Sequence, residues 1–165
     1  MTHNICNTVV ITDIFGKSSA LEKLCTKLQG NSLNKVKVID PYDGQYLEFS
    51  DEKLAYHHFT ESGGVDAFAK TLLESLISEP GPIKVIAFSV GASALWSLSQ
   101  SNQLAHIKQA ICFYGSQIRY YQTITPIFPI QLIFPDHETH FDVDQLQKNV
   151  EKKKLVTTIK TPYLH

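Results

Sequence analysis

The sequence is poor in cysteine, has almost no net charge and contains no long apolar run. Its three cysteines are an odd number, stand far apart and form no C-x-x-C pair, which argues against a disulfide framework and a zinc knuckle. The formal net charge of −1 offers no basic surface to nucleic acid or to an anionic membrane. No segment approaches the roughly 18 apolar residues of a membrane-spanning helix, and the first residues lack the pattern of a signal peptide. We therefore expect a soluble, cytoplasmic protein with no nucleic-acid or membrane partner.

Two motifs that bind phosphate or metal are also absent. Gly16-Lys17-Ser18 resembles the end of a phosphate-binding loop, but that loop requires glycine at position 11, where the sequence has Ile11. The segment His137-Glu138-Thr139-His140 places its histidines three residues apart, one fewer than the H-E-x-x-H zinc motif needs. We therefore expect no nucleotide cofactor and no bound metal.

The chain does contain alternating strand and helix patterns. Its 165 residues are enough for one domain with a core, and no repeat, low-complexity stretch or linker divides them. We therefore expect a single domain over residues 1–165. Short runs rich in Val and Ile predict strands, and apolar residues at helical spacing predict helices between them. The predicted strands are 7–12, 35–39, 83–88, 109–114, 129–134 and 155–160, and the predicted helices are 17–28, 65–77, 92–99 and 143–150. Residues 42–62 are predicted to form a long loop or a short helix.

This alternation predicts a three-layer α/β/α sandwich around a mostly parallel six-stranded sheet. Right-handed crossovers fix most of the topology, and we take the strand order to be 2-1-3-4-5-6. In that order the loops after the first and third strands are neighbours at the point where the strand order reverses, and ligands bind there. The first of these loops is Asp13-Ile14-Phe15-Gly16, and the second begins at Ser89.

Ser89 lies in the segment A-F-S-V-G, which resembles the nucleophile elbow of serine hydrolases. In that turn the serine has strained backbone angles, and the residues two before and two after it are small because the helix crosses close to the strand. Those positions hold Ala87 and Gly91. The simpler interpretation is a serine that caps the following helix, and the pentapeptide alone does not decide between the two.

An acid and a histidine follow the fifth and sixth strands, in the chain order Ser, acid, His. His165 would take the proton from Ser89, and a carboxylate would orient the imidazole and support its charge. The residue types leave the carboxylate open among Asp136, Glu138 and Asp142. The backbone N–H of Val90 and one N–H of the loop Asp13-Ile14-Phe15 would bind the oxyanion.

Taken together, these segments resemble the dienelactone hydrolase family, a branch of the α/β-hydrolases. The resemblance rests on D-I-F-G, D-P-Y, A-F-S-V-G, C-F-Y-G, L-I-F-P-D-H-E-T-H-F and Y-L-H, and it spans nearly the whole chain. It implies an α/β-hydrolase fold and cofactor-independent hydrolysis of an ester or lactone. It also implies Ser89 as nucleophile, where dienelactone hydrolase proper has cysteine, Glu138 as acid, His165 as base and Ile14 in the oxyanion loop. Ala87 stands where the family has glycine, and Glu138 where it usually has aspartate.

The family usually has a further helix after its histidine, whereas this sequence ends at His165. Without that helix one face of the sheet would be underfilled, which favours a homo-oligomer.

We therefore expect a small serine hydrolase that cleaves an ester, thioester or lactone of a small molecule through an acyl-enzyme. The alternative is a catalytically silent protein of the same fold that binds a ligand or a protein partner in the same cleft. The two differ in geometry, because a hydrolase needs positive φ at Ser89 and His165 within hydrogen-bond reach of it.

Overall fold

Apolar segments of four to seven residues form a six-stranded parallel sheet. The computed structural model describes residues 6–30 and 35–162. The strands are β1 (Asn7–Ile11), β2 (Val36–Ile39), β3 (Ile83–Phe88), β4 (Ile107–Phe113), β5 (Ile130–Pro135) and β6 (Val156–Thr161). Their order is β2-β1-β3-β4-β5-β6, and each neighbouring pair is parallel. This confirms the predicted α/β class and the predicted strand order.

Within the described residues, five helices lie between the strands. They are α1 (Ser19–Gln29), α2 (Glu52–Glu61), α3 (Gly64–Ile77), α4 (Val90–Leu98) and α5 (Val143–Val150), and short 3₁₀ turns lie at Asn102–Leu104 and Ser116–Tyr120. The segment 42–62, predicted as a long loop or a short helix, therefore contains a ten-residue helix. Among the residues that the structure describes, no helix is long and apolar enough to cross a bilayer.

Polar caps set the start of three helices. Ser18 accepts a hydrogen bond from the N–H of Leu21, so α1 begins two residues later than its apolar spacing predicts. Asp51 accepts from the N–H of Leu54 at 2.8 Å and begins α2, whose short apolar pattern gives little signal of its own. Asp142 caps α5 in the same way. Each side chain satisfies an N–H that has no carbonyl partner in the first turn.

The main core lies on one face of the sheet. Helix α3 packs against both α2 and α4. Trp96 of α4 is fully buried, and its indole N–H donates to the carbonyl of Tyr121 at 2.9 Å. The strand residues in this core alternate along each strand, as a pleated sheet requires. They include Val9, Ile11, Ile83, Val85, Ala87, Ala110, Cys112, Leu132 and Phe134.

The opposite face of the sheet is less fully covered. Its residues on β3 and β4 are only half-buried, among them Ile86, Phe88, Ile111 and Phe113, and the rings of Phe88 and Phe113 stack with centroids 5.1 Å apart. Of the described helices, α1 alone contributes no residue to the main core. The homo-oligomer that the sequence analysis expects stays a prediction.

Parallel strands place all their carboxyl ends at one edge of the sheet. The turn after β1, the turn after β3 and the loop after β5 therefore lie at the same edge. These three segments contain most of the residues that the sequence predicts to be functional.

Candidate functional site

Ser89 occupies a strained turn between β3 and α4. Its backbone angles are φ 49° and ψ −112°, a region that residues other than glycine rarely adopt and that costs on the order of 1–3 kcal/mol. The turn is fixed from both sides, because Ser89 donates its N–H to the carbonyl of Phe113 at 2.8 Å and accepts the N–H of Ser93 at 3.0 Å. Its side chain makes no capping hydrogen bond to the described helix. The capping interpretation is therefore wrong, and the geometry is that of an elbow.

Gly91 lets the helix cross the sheet at this turn. A Cβ at this position would lie 2.3 Å from the carbonyl oxygen of Thr12 and 2.7 Å from Cγ2 of Ile11. No side chain fits there without moving α4 away from β1. Ala87, on the other side of the elbow, is fully buried, so a methyl group is accommodated where the family pattern has glycine.

The turn after β1 faces the same cleft as the elbow. The carbonyl of Asp13 accepts the N–H of Gly16 at 3.3 Å, and the carboxylate of Asp13 accepts the N–H of Phe15 at 2.9 Å. Ile14 and Val90 both line the cleft beside Ser89. The N–H of Val90 is the first of α4, so no preceding helical carbonyl is available to it. The predicted oxyanion groups are thus brought to one place.

The cleft has a volume of about 480 Å³ and also includes Glu138, His140 and Phe141 from the loop after β5. Its wall includes Glu52 and Tyr56 of α2. A larger hollow of about 620 Å³ lies between α1 and the edge strand β2. That hollow contains none of the predicted site residues, so its greater size does not make it the candidate site.

The three carboxylates that the sequence offers as the acid lie in different surroundings in the structure. Glu138 lines the cleft with Ser89. Asp136 is exposed and is not among the cleft residues, and its N–H donates to the carbonyl of Thr161 at 2.9 Å. The carboxylate of Asp142 caps α5 by accepting the N–H of Gln145 at 2.9 Å. His165 lies outside the described residues.

Sequence reasoning missed Arg119, which lines the cleft from the 3₁₀ turn after β4. Its guanidinium donates to the carbonyl of Ser116 at 2.6 Å and to the hydroxyl of Tyr120 at 2.8 Å. It also lies 4.3 Å from the ring centroid of Tyr120 and 5.0 Å from that of Phe141. Arg119 is the single arginine of the chain, which is the one feature of the sequence that could have drawn attention to it.

Sequence reasoning also missed the role of Tyr42, which anchors the turn after β1. Tyr42 is buried, and its hydroxyl donates to the carbonyl of Ile14 at 2.5 Å. Burial, followed by the nearby carboxylates of Asp13 and Asp40, raises the pKa of Tyr42 to about 12. The phenol therefore remains a hydrogen-bond donor well above neutral pH.

The parallel sheet in this strand order, with a strained serine directly after its third strand, has the α/β-hydrolase-like fold. Two solved structures share it. Est1E from Butyrivibrio proteoclasticus has 12% identity and a TM-score of 0.57, covering 94% of this chain and 78% of its own. The protein m3DLH has 14% identity and a TM-score of 0.57, covering 97% of this chain and 70% of its own. At such identities the likeness concerns the fold alone.

Sequence comparison adds one relative. "Uncharacterized protein YczH" of Bacillus subtilis strain 168 is 28% identical over 150 residues, which are 88% of this chain and 71% of that protein. No protein-family model matches the chain.

The strain at Ser89 predicts an unusual order of stability between two substitutions. We expect Ser89→Gly to be more stable than Ser89→Ala by about 1 kcal/mol, because only glycine adopts this positive φ without a steric penalty. Urea unfolding followed by circular dichroism measures the difference. As a control, Ser97 lies in the last turn of α4, where alanine should still be more stable than glycine, by up to about 1 kcal/mol. If alanine were more stable than glycine at position 89 as well, Ser89 would not be strained.

The raised pKa of Tyr42 predicts a loss of stability in alkali. Because the folded state holds this proton more tightly than the unfolded state, the stabilisation is complete below pH 10 and is lost as pH rises to about 12. We expect the free energy of unfolding of Tyr42→Phe to fall less steeply over this interval than that of the wild type. Urea unfolding at intervals of pH measures it, and parallel curves between pH 7 and 9 are the internal control. Equal slopes above pH 10 would contradict the prediction.

Proposed function

We propose that the chain is a serine hydrolase that cleaves a carboxylic ester, thioester or lactone through an acyl-enzyme formed on Ser89. The observation that carries the proposal is the strained turn at Ser89, whose side chain does not cap α4 and which lines a cleft at the carboxyl ends of the strands. Backbone strain of this size is retained where the surrounding structure enforces it, typically at active sites. The structural neighbours support the same class, since one is an esterase and the other is dienelactone hydrolase-like.

In the first half-reaction, His165 accepts the hydroxyl proton of Ser89 while Oγ attacks the carbonyl carbon of the substrate. The carbonyl π electrons move to oxygen, and the N–H groups of Val90 and Ile14 stabilise that oxyanion. The intermediate collapses, the bond to the alcohol or thiol breaks, and His165 returns its proton to the leaving group. Water then attacks the acyl-enzyme by the same steps, releasing the acid and restoring Ser89.

Glu138 is the acid of this proposal because it shares the cleft with Ser89, whereas Asp142 is engaged as a helix cap. A glutamate is one methylene longer than the usual aspartate, so it can reach the imidazole from a loop set slightly further back. Its charge would stabilise the imidazolium that forms during attack. Asp136 is the alternative acid, and a pair of variants separates the two.

The cleft favours a small or extended acyl group. Its volume of about 480 Å³ is at the lower end of the range for ligand sites. Ile14, Tyr56 and Phe141 provide apolar contact, while Glu52 and Arg119 add charge of both signs. Every chemical step uses side chains and backbone of the chain itself, so the proposed reaction requires no cofactor.

A fluorophosphonate probe tests whether Ser89 is activated. We expect the wild type to be labelled on one serine, and we expect Ser89→Ala and His165→Ala to lose the label, because both the nucleophile and its base are needed. Mass spectrometry of the labelled peptide identifies the residue. Ser93→Ala, which changes the next serine along the chain, should label like the wild type. A folded wild-type chain that takes no label would contradict the proposal and favour the silent binding protein.

A matched pair of amide variants tests the acid. We expect Glu138→Gln to slow labelling by about 100-fold or more, because a neutral amide no longer stabilises the imidazolium. Asp136→Asn, two residues away on the same loop, should label within about twofold of the wild type. Labelling rates at fixed probe concentration measure both. The reverse result would assign the acid to Asp136.

A further inference from the structure

Of the N–H groups of residues 14, 15 and 16 in the turn after β1, two are occupied. Phe15 donates to the carboxylate of Asp13 at 2.9 Å, and Gly16 donates to the carbonyl of Asp13 at 3.3 Å. The N–H of Ile14 has no acceptor within residues 6–30 and 35–162. Because Ile14 also lines the cleft with Ser89, its N–H is the one among these three that is available to an oxyanion.

The peptide unit that follows this N–H is held at both ends. Its N–H, from Phe15, bonds to Asp13, and its carbonyl, from Ile14, accepts the hydroxyl of Tyr42 at 2.5 Å. A peptide unit is planar and rigid, so bonds at its two ends fix its orientation. Only the carbonyl carbon and Cα separate the anchored oxygen of Ile14 from its nitrogen. The bond from Tyr42 therefore restrains the residue that carries the available N–H.

Tyr42 is itself held in place from several sides. Its N–H donates to the carboxylate of Asp40 at 2.8 Å, and the same carboxylate accepts the N–H of Gly44. Its ring lies against Phe49, with centroids 5.8 Å apart. The ring also packs on Gly16, where a Cβ would lie 2.7 Å from Cδ2 of Tyr42. A buried phenol with this many constraints is a firm anchor for the turn.

We propose that Tyr42 is a positioning residue of the oxyanion hole, whose hydroxyl holds Ile14 so that its N–H faces the oxyanion formed at Ser89. The proposal rests on the proposed function, since it needs an acyl transfer at Ser89 to act on. Tyr42 touches neither substrate nor reacting atoms, and it acts through the backbone of Ile14. Its loss is therefore expected to affect the transition state more than substrate binding.

The variant Tyr42→Phe removes the hydroxyl and keeps the ring. We expect kcat for p-nitrophenyl acetate and the fluorophosphonate labelling rate to fall by roughly 10-fold, with KM within about twofold, because a displaced oxyanion donor weakens the transition state selectively. The matched control is Tyr121→Phe, which removes a phenol hydroxyl that donates to Asp66 of α3 at 2.8 Å instead of to the turn. The control should keep the wild-type kcat and labelling rate.

A measurement on the wild type tests the proposal even if Tyr42→Phe does not fold. In the adduct the phosphorus is bonded to Oγ of Ser89 and its P=O oxygen would occupy the oxyanion position, so labelling should shift the amide proton of Ile14 downfield in a ¹H–¹⁵N spectrum. The amide protons of Phe15 and Gly16, which are already bonded, should change far less. In a folded Tyr42→Phe adduct the shift of Ile14 should be smaller than in the wild type.

The outcomes separate the two proposals. A wild type that reacts with the probe while Tyr42→Phe reacts equally fast would overturn the positioning role and leave the hydrolase intact. A labelled wild type in which Phe15 shifts instead of Ile14 would overturn it as well. A folded wild type that never reacts would overturn the proposed function itself, and the positioning role with it.

Discussion

The site depends on the contact between the start of α4 and the end of β1. Gly91 brings the helix so close that even one methyl group would overlap the carbonyl oxygen of Thr12. Because helix and strand are so close, the chain turns from β3 into α4 within one residue. That residue, Ser89, is forced to a positive φ. The strain is maintained by the packing of buried helix residues such as Leu95 and Trp96 against the sheet. The glycine at position 91 thus determines the backbone conformation of Ser89.

The same approach places the first N–H of α4 beside the turn that follows β1. Two further elements complete the cleft, since Tyr42 from the segment after β2 anchors that turn and the loop after β5 contributes Glu138. Four segments distant in sequence therefore converge because parallel strands end at one edge of the sheet. The proposed hydrolysis requires the nucleophile, the oxyanion donors and the acid to lie in one cleft, which no single sequence motif provides.

Much of this arrangement was predictable from local patterns. The strand order was confirmed, and the bounds of β3 and α5 agree with the prediction residue for residue, because β3 is a clear Val- and Ile-rich run and α5 has strong helical spacing. Helix α2 was uncertain because only Ala55 and Phe59 of its ten residues are buried, which gives a weak periodic signal. The roles of Arg119 and Tyr42 were missed because the cleft that Arg119 lines and the Ile14 carbonyl that Tyr42 binds involve segments far apart in sequence. No local period or spacing encodes such contacts.

The alternation of strands and helices, the small residues around Ser89, and the order of serine, acid and histidine can all be recognised in the sequence. These features depend on residue type and short-range spacing, which are fully present in the sequence. Only the tertiary structure decided that Ser89 is strained and does not cap its helix, and that Glu138 lies in the cleft while Asp142 caps α5. It also decided which N–H of the first turn remains available, since that follows from hydrogen bonds made by Asp13 within the turn. Several residues can satisfy the same local pattern. Which of them enters the site depends on the space and the hydrogen-bond partners that the packed structure provides.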